Sequence, residues 1–167
     1  MLERWDILDD EGNLTGRTMV RGTSMRAGQF HLVVHIWVVD SQGRILLQRR
    51  SPWRRLMPGA WAATGGSAVA GENSETAARR ELQEELGITT QPGEMVNIGR
   101  MRRRNSLVDL WLLKRDVDEK QLSLQTEEVA EVRWVTEQEW RVMIVNGSFH
   151  DYGRPYFDLV MSAIRNA

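Results

Sequence analysis

The sequence predicts an α/β fold, and three observations carry that reading. Phe30 to Asp40 is rich in valine and aromatic residues and reads as a largely buried strand. After a Ser41-Gln42-Gly43 turn, Arg44 to Arg49 reads as the next strand. Helical patterns then follow strand patterns along the rest of the chain: a charged helix from Ser74, another from Thr136, and an amphipathic one from Pro155 to Arg165. The length of 167 residues is enough for a sizeable core and predicts a single domain over 1–167.

Taken in order, Arg4 to Leu8 alternate like a strand, Asp9 to Asn13 form a turn, and Leu14 to Arg17 return. Residues 1–29 are thus expected to hold an N-terminal hairpin extension. Its expected role is to cover a core edge; a dimer contact or a substrate wall is the alternative. Pro58-Gly59-Ala60-Trp61 leads to Gly65-Gly66, read as a loop whose glycines allow unusual backbone angles. Ser74 is the expected N-cap of the helix that follows, with Glu75 in its first turn and Gly87 ending it. Beyond a break at Gln91-Pro92-Gly93, Glu94 to Met101 and Leu107 to Lys114 read as paired strands joined by Arg102 to Ser106. Asp116 to Glu128 reads as a polar loop and Ala130 to Val135 as a short strand. Thr136, with Glu139 three residues on, has the form of a capping box.

Composition narrows the function. Hydrophobic residues at 41% and charged residues at 27% describe an ordinary globular protein. A net charge of −1 offers no general attraction to nucleic acid or anionic membrane, so neither is expected as a partner. The absence of cysteine excludes disulfides and a thiol nucleophile and fits a reducing compartment, so a cytoplasmic location is expected. The N-terminus is too polar for a signal peptide. The longest apolar run, Leu32 to Val39, is interrupted by His35 and too short to span a bilayer.

The chemistry concentrates in the helix after the glycines. Glu81, Glu84 and Glu85 are three and four residues apart and share one helix face with no lysine among them. Like charges so spaced oppose the helix by roughly 0.2–0.5 kcal/mol per pair. A divalent cation would relieve that repulsion, and hard carboxylate oxygens suit Mg²⁺.

From Gly66 through Glu72 to Arg80-Glu81-Leu82-Gln83-Glu84-Glu85-Leu86-Gly87-Ile88, the pattern resembles the signature box of the Nudix hydrolases, with every fixed letter present. Seven such letters would coincide by chance on the order of 10⁻⁸ per window. The preceding Val39 to Arg50 segment and the Pro-Gly-x-Trp arrangement are similar to that family as well. Together with the strand and helix pattern, the resemblance implies an α/β/α sandwich around a mixed central sheet.

The resemblance also implies roles. Glu81, Glu84, Glu85 and the Gly66 carbonyl would hold Mg²⁺, with Mn²⁺ as the substitute. Arg80 would orient Glu81, and Glu72 would hold the loop against the helix or reach the metal through water. Glu84 or Glu85 would take a proton from the attacking water, with Glu84 favoured. Of the later acids Glu127, Glu128 and Glu131, Glu128 is the choice for a further ligand or base; a solvated loop is the other reading. Arg50 among the arginines at 49, 50, 54 and 55, and Arg103 within Arg102-Arg103-Arg104, are the expected phosphate contacts. Trp61 is the expected stacking surface for a base. Of the seven tryptophans, Trp37, Trp111 and Trp134 read as core and Trp53 lies nearer the expected site with Trp61; His31 and His35 read as buried or partnered. One departure is Val69, where many relatives have an acid. The implied reaction is metal-dependent hydrolysis of a nucleoside diphosphate linked to another group, on a small-molecule diphosphate, in a monomer or homodimer. Two alternatives exist. Residues around His31 to Trp37 also look like isopentenyl diphosphate isomerase, but the cysteine that enzyme relies on is absent here. A non-catalytic nucleotide-binding module is the other.

Overall fold

The computed structural model describes residues 2–167. The strands are Arg4–Leu8 (β1), Leu14–Val20 (β2), His31–Val39 (β3), Ile45–Arg50 (β4), Trp61–Ala62 (β5), Thr64–Ser67 (β6), Val96–Arg102 (β7), Ser106–Lys114 (β8) and Val129–Val135 (β9). The helices are Ser74–Leu86 (α1), Glu137–Val145 (α2) and Arg154–Asn166 (α3).

β3 is the axis of the sheet, and its run of branched and aromatic residues is buried on both faces. On one side it pairs in parallel with β8, from His31 opposite Ser106 to Val39 opposite Lys114. On the other side it is shared. β4 pairs with its last residues, Val38 and Val39, while β6 pairs with Val33 to Ile36. β4 diverges from β3 to pair with β5 and β9, and β7 closes the far edge against β8. The seven-stranded sheet is therefore mixed, parallel at β3–β8 and antiparallel elsewhere.

Side chains alternate between faces along each strand, so β3 and β8 supply two cores. Val34, Ile36, Val38, Leu46 and Leu113 pack under Ala77, Ala78, Leu82 and Leu86 of α1. Trp37, Val39, Leu47, Leu110 and Leu112 pack under Trp140 and Met143 of α2 and Tyr156, Phe157, Val160 and Met161 of α3. This is the expected α/β/α sandwich.

Several local expectations change. The α1 cap is Asn73, not Ser74: its side-chain oxygen accepts from the Thr76 N–H at 2.9 Å. Ser74 is the first helical residue, and its hydroxyl accepts instead from the Trp111 indole N–H at 3.0 Å. Gly65-Gly66, read as loop, lies in a strand. β6 forms because β3 is left without a partner where β4 diverges, and a sheet position satisfies those backbone groups. A Cβ on Gly65 would come within 2.0 Å of the Val34 carbonyl oxygen, so close approach demands glycine there. The capping box at Thr136 and Glu139 is present, as expected.

The N-terminal hairpin does more than cover an edge. β1 and β2 pair antiparallel, with β2 running three residues beyond the expected Arg17. Leu8 bridges to Phe30, and Trp5 stacks on His31 with ring centroids 3.9 Å apart and planes 6° apart. The hairpin also grips the loop before α1. The Ala70 N–H donates to the Arg4 carbonyl at 2.8 Å, and the Gly71 N–H to the Asp6 carboxylate at 2.7 Å.

Candidate active site

α1 lies on the sheet through Ala77, Ala78, Leu82 and Leu86, and that contact sets the orientation of its glutamates. Glu81 and Glu85, one turn apart, flank Leu82 at the margin of the buried stripe. Glu84 points further out. Glu85 is buried to 3% exposure, whereas the Glu84 side chain is 52% exposed.

These carboxylates line a cleft of about 210 Å³ with Gly65, Gly66, Ser67, Arg80 and Glu128. Glu85 sits where β4 and β3 part. Its Oε2 accepts from the Gln48 amide at 2.9 Å and the Gly65 N–H at 3.2 Å. Burial, reinforced by the charge of Glu81, outweighs those donors and pushes its carboxyl up to about 8. Burial also raises Glu81, against the opposing pull of Arg80. Gly66 lies against the glutamate: a Cβ there would lie 2.5 Å from Glu81 Oε1, so the Glu81 carboxylate would have to shift. The φ of Gly66 is not positive, so the reason differs from the loop angles expected.

Arg80 is the organising cation. It holds Glu72 in a two-pronged bond, Nε to Oε1 at 2.7 Å and Nη2 to Oε2 at 2.9 Å. Its Nη1 donates to Glu81 at 2.8 Å and Glu84 at 3.0 Å, and Nη2 also reaches the Ser67 carbonyl at 3.2 Å. Bonding to Glu72 raises the guanidinium pKa further. Burial opposes the charge on Glu72, yet Arg80 and the Val69 N–H hold that carboxyl below its usual range. The repulsion expected along the helix is thus met by an arginine within the motif itself. Among the described residues no three His, Asp or Glu side chains are arranged as a ready metal cage, because Arg80 stands between Glu81 and Glu84.

Of the three later acids, Glu128 reaches this cleft, where it pairs with Arg54. Glu131 pairs instead with Arg49 at 3.4 Å on the β4–β9 ladder. Arg50 and Arg103 gather elsewhere. Arg103 lies over the Tyr152 ring at 4.8 Å, and the charges of both arginines act on His35, His150 and Tyr152. Arg50 joins the two regions, since its charge interacts with Glu85 as well as Tyr152. His35 is buried and pushed down to about 3, with its Nδ1 2.7 Å from the Tyr156 hydroxyl. Trp61 is not in the acidic cleft. It lines a different depression with Arg133, Met143 and Asn146, and its backbone pairs with Ser148. It belongs to β5, whose direction follows from pairing with β4.

Sequence reasoning missed Glu3, Arg21 and Gln125, which also line the cleft, and the Tyr152–Tyr156–His150 group. None of these carries a spacing signal, because distant segments converge only in the fold.

The NUDIX domain family matches residues 29–152. An uncharacterised Nudix hydrolase of Listeria monocytogenes is 37% identical over 158 residues, covering 90% of each chain. Nudix hydrolase 3 of Arabidopsis thaliana is 31% identical over 83% of this chain, which spans only 20% of that protein. In three dimensions the chain is similar to DR0079 of Deinococcus radiodurans, with a TM-score of 0.78 at 23% identity, over 96% of this chain and 98% of that one. The NUDIX domain of Shewanella oneidensis NrtR, solved with ADP ribose, superposes with a TM-score of 0.55 at 17% identity, over 73% of this chain and 80% of that one.

Proposed function

This chain belongs to the Nudix hydrolase family, and we propose that it cleaves the diphosphate linkage of a nucleoside diphosphate joined to another group, using a divalent metal. One observation carries the reading: two carboxylates on α1, buried Glu85 and half-buried Glu81, have their charge penalised by desolvation beside a third, exposed one. Such a set is costly alone and is favourable around a hard cation.

The donors fit that cation. All are carboxylate or carbonyl oxygens, and the bare Cα of Gly66 opens space against Glu81. Glu81, Glu84, Glu85 and the Gly66 carbonyl would hold Mg²⁺, or Mn²⁺ in its place. When bound, the metal supplies charge neutralisation on the phosphoryl oxygens and a more acidic water. The chain does the rest. Arg80 fixes Glu81 and, through Glu72, the loop at Val69 that follows the strand carrying Gly66. Glu84, the most exposed of the three, takes the proton of the attacking water. Water attacks one phosphorus, the bridging P–O bond breaks, and the leaving oxygen departs on the other phosphate. Glu128 faces the same space and is the reserve base. Arg50 and Arg103 contact substrate beyond the reacting phosphates. The complex of a similar fold with ADP ribose supports the substrate class. No thiol exists for the isomerase chemistry, and Gly65-Gly66 occupy that place.

The test is turnover on nucleoside diphosphate compounds with Mg²⁺. Glu84→Gln and Glu85→Gln are each expected to lower kcat by about a hundredfold or more with the fold intact by circular dichroism. Chelation is expected to abolish activity. Full turnover in both variants, or in excess chelator, would remove the assigned roles.

A further inference from the structure

The family match begins at residue 29, so the N-terminal hairpin lies outside it. Two of its residues nevertheless line the acidic cleft, Glu3 and Arg21. They flank the open end of the hairpin, just before β1 and just after β2. Arg21 Nη1 donates to both oxygens of Glu3, at 2.9 and 3.0 Å, and the Arg21 N–H donates to the Glu3 carbonyl at 2.9 Å. The guanidinium carbon also lies 5.9 Å from the centre of the Trp5 ring, which is itself stacked on His31.

Three cations line the cleft, and they are not equivalent. Every guanidinium nitrogen of Arg80 already donates within the Glu72–Glu81–Glu84–Ser67 network. Arg54 pairs with Glu128 and is 26% exposed. Arg21 is 47% exposed, and its partner Glu3 is 36% exposed. An ion pair so open to water is worth about 0–1 kcal/mol, and a phosphate offers more charge and a second oxygen for the two-nitrogen fork that Glu3, held by Nη1 alone, does not engage. Arg21 is also close enough for its charge to act on Glu81.

We propose that Arg21 is a substrate-binding residue. It exchanges its Glu3 partner for non-bridging oxygens of the diphosphate, in the same cleft that the α1 carboxylates line. This rests on the hydrolase reading for the identity of the ligand. The hairpin is then part of the binding site: Arg4 and Asp6 fasten it to the loop at Ala70 and Gly71, beside the cleft that Arg21 lines. Anhydrides with two adjacent phosphates are the class it selects.

The test is the affinity of methylenediphosphonate, a non-hydrolysable diphosphate, measured by calorimetry in Mg²⁺ on the full chain. Arg21→Ala is expected to weaken binding about 10- to 100-fold, and Arg21→Lys to restore part of it. In turnover the same loss is expected in KM, with kcat changed by less than about threefold. Glu3→Gln breaks the same ion pair but frees the arginine, so its affinity is expected to equal or exceed that of the wild type. If Glu3→Gln weakens binding as much as Arg21→Ala, the pair merely docks the hairpin and the proposal fails. Unchanged affinity in Arg21→Ala, or no binding by the wild type, also overturns it. A wild type that binds diphosphonate through Arg21 yet hydrolyses nothing would sink the hydrolase reading and leave this one standing.

Discussion

Glu85 accepts two hydrogen bonds and is still pushed up to about 8, because burial outweighs them. Its folded pKa lies above the ordinary 4.5. The metal-free protein therefore draws stability from the protonated form, complete below that value and lost as pH rises through about 8. A cation held by Glu85 must displace that proton. The rise in Tm on adding Mg²⁺ is thus expected to grow from about pH 6 to about pH 8.5, as measured by scanning fluorimetry. A metal-induced shift that stays constant over this range would place Glu85 outside the ligand set. The spacing of Glu81, Glu84 and Glu85 was legible in the chain because helical periodicity is local. Their division into one buried, one half-buried and one exposed group was not, since it depends on where α1 meets the sheet.

The elements sort the same way. α1 was readable from its charge pattern and Gly87, but its cap lay one residue earlier than expected. Asn73 and Ser74 are both good caps by type; the Trp111 indole, from a strand far along the chain, engages Ser74 and leaves the cap to Asn73. Asn73→Ala is therefore expected to cost about 1 kcal/mol in urea unfolding. No measurable loss would show that another group satisfies the first turn. β5 and β6 escaped detection because strands of two and four residues carry no periodicity, and their backbone is ordered by distant partners: β4 and the Ser148–His150 segment for β5, β3 for β6. The hairpin was visible as alternation and a turn. Its reach into the cleft was not, because docking on the Ala70–Gly71 loop is a long-range contact.

Across the molecule, the sandwich places one large core under α1 and another under α2 and α3, and the second encloses His35. Burial holds His35 near 3 and His31 near 4, both below the ordinary 6.5. The unfolded chain takes up these protons below about pH 6.5 while the native one resists, so stability falls as pH drops from there. Between pH 7 and pH 5 the two histidines are expected to remove about 2 kcal/mol each in urea unfolding, a loss that the protonation of Glu85 partly offsets. His35→Gln, which cannot titrate, is expected to flatten that slope; an unaltered slope would mean that other groups drive it. Strand and helix order, the acidic motif and the family were readable from residue types and spacings, because periodicity, capping and the motif live within a few turns of chain. The parting of β3 and β4, the burial of Glu85, the departure of Trp61 from the cleft and the arrival of Arg21 depended on packing. Each joins segments that meet only when the sheet closes, and desolvation acts on a charge only after that meeting.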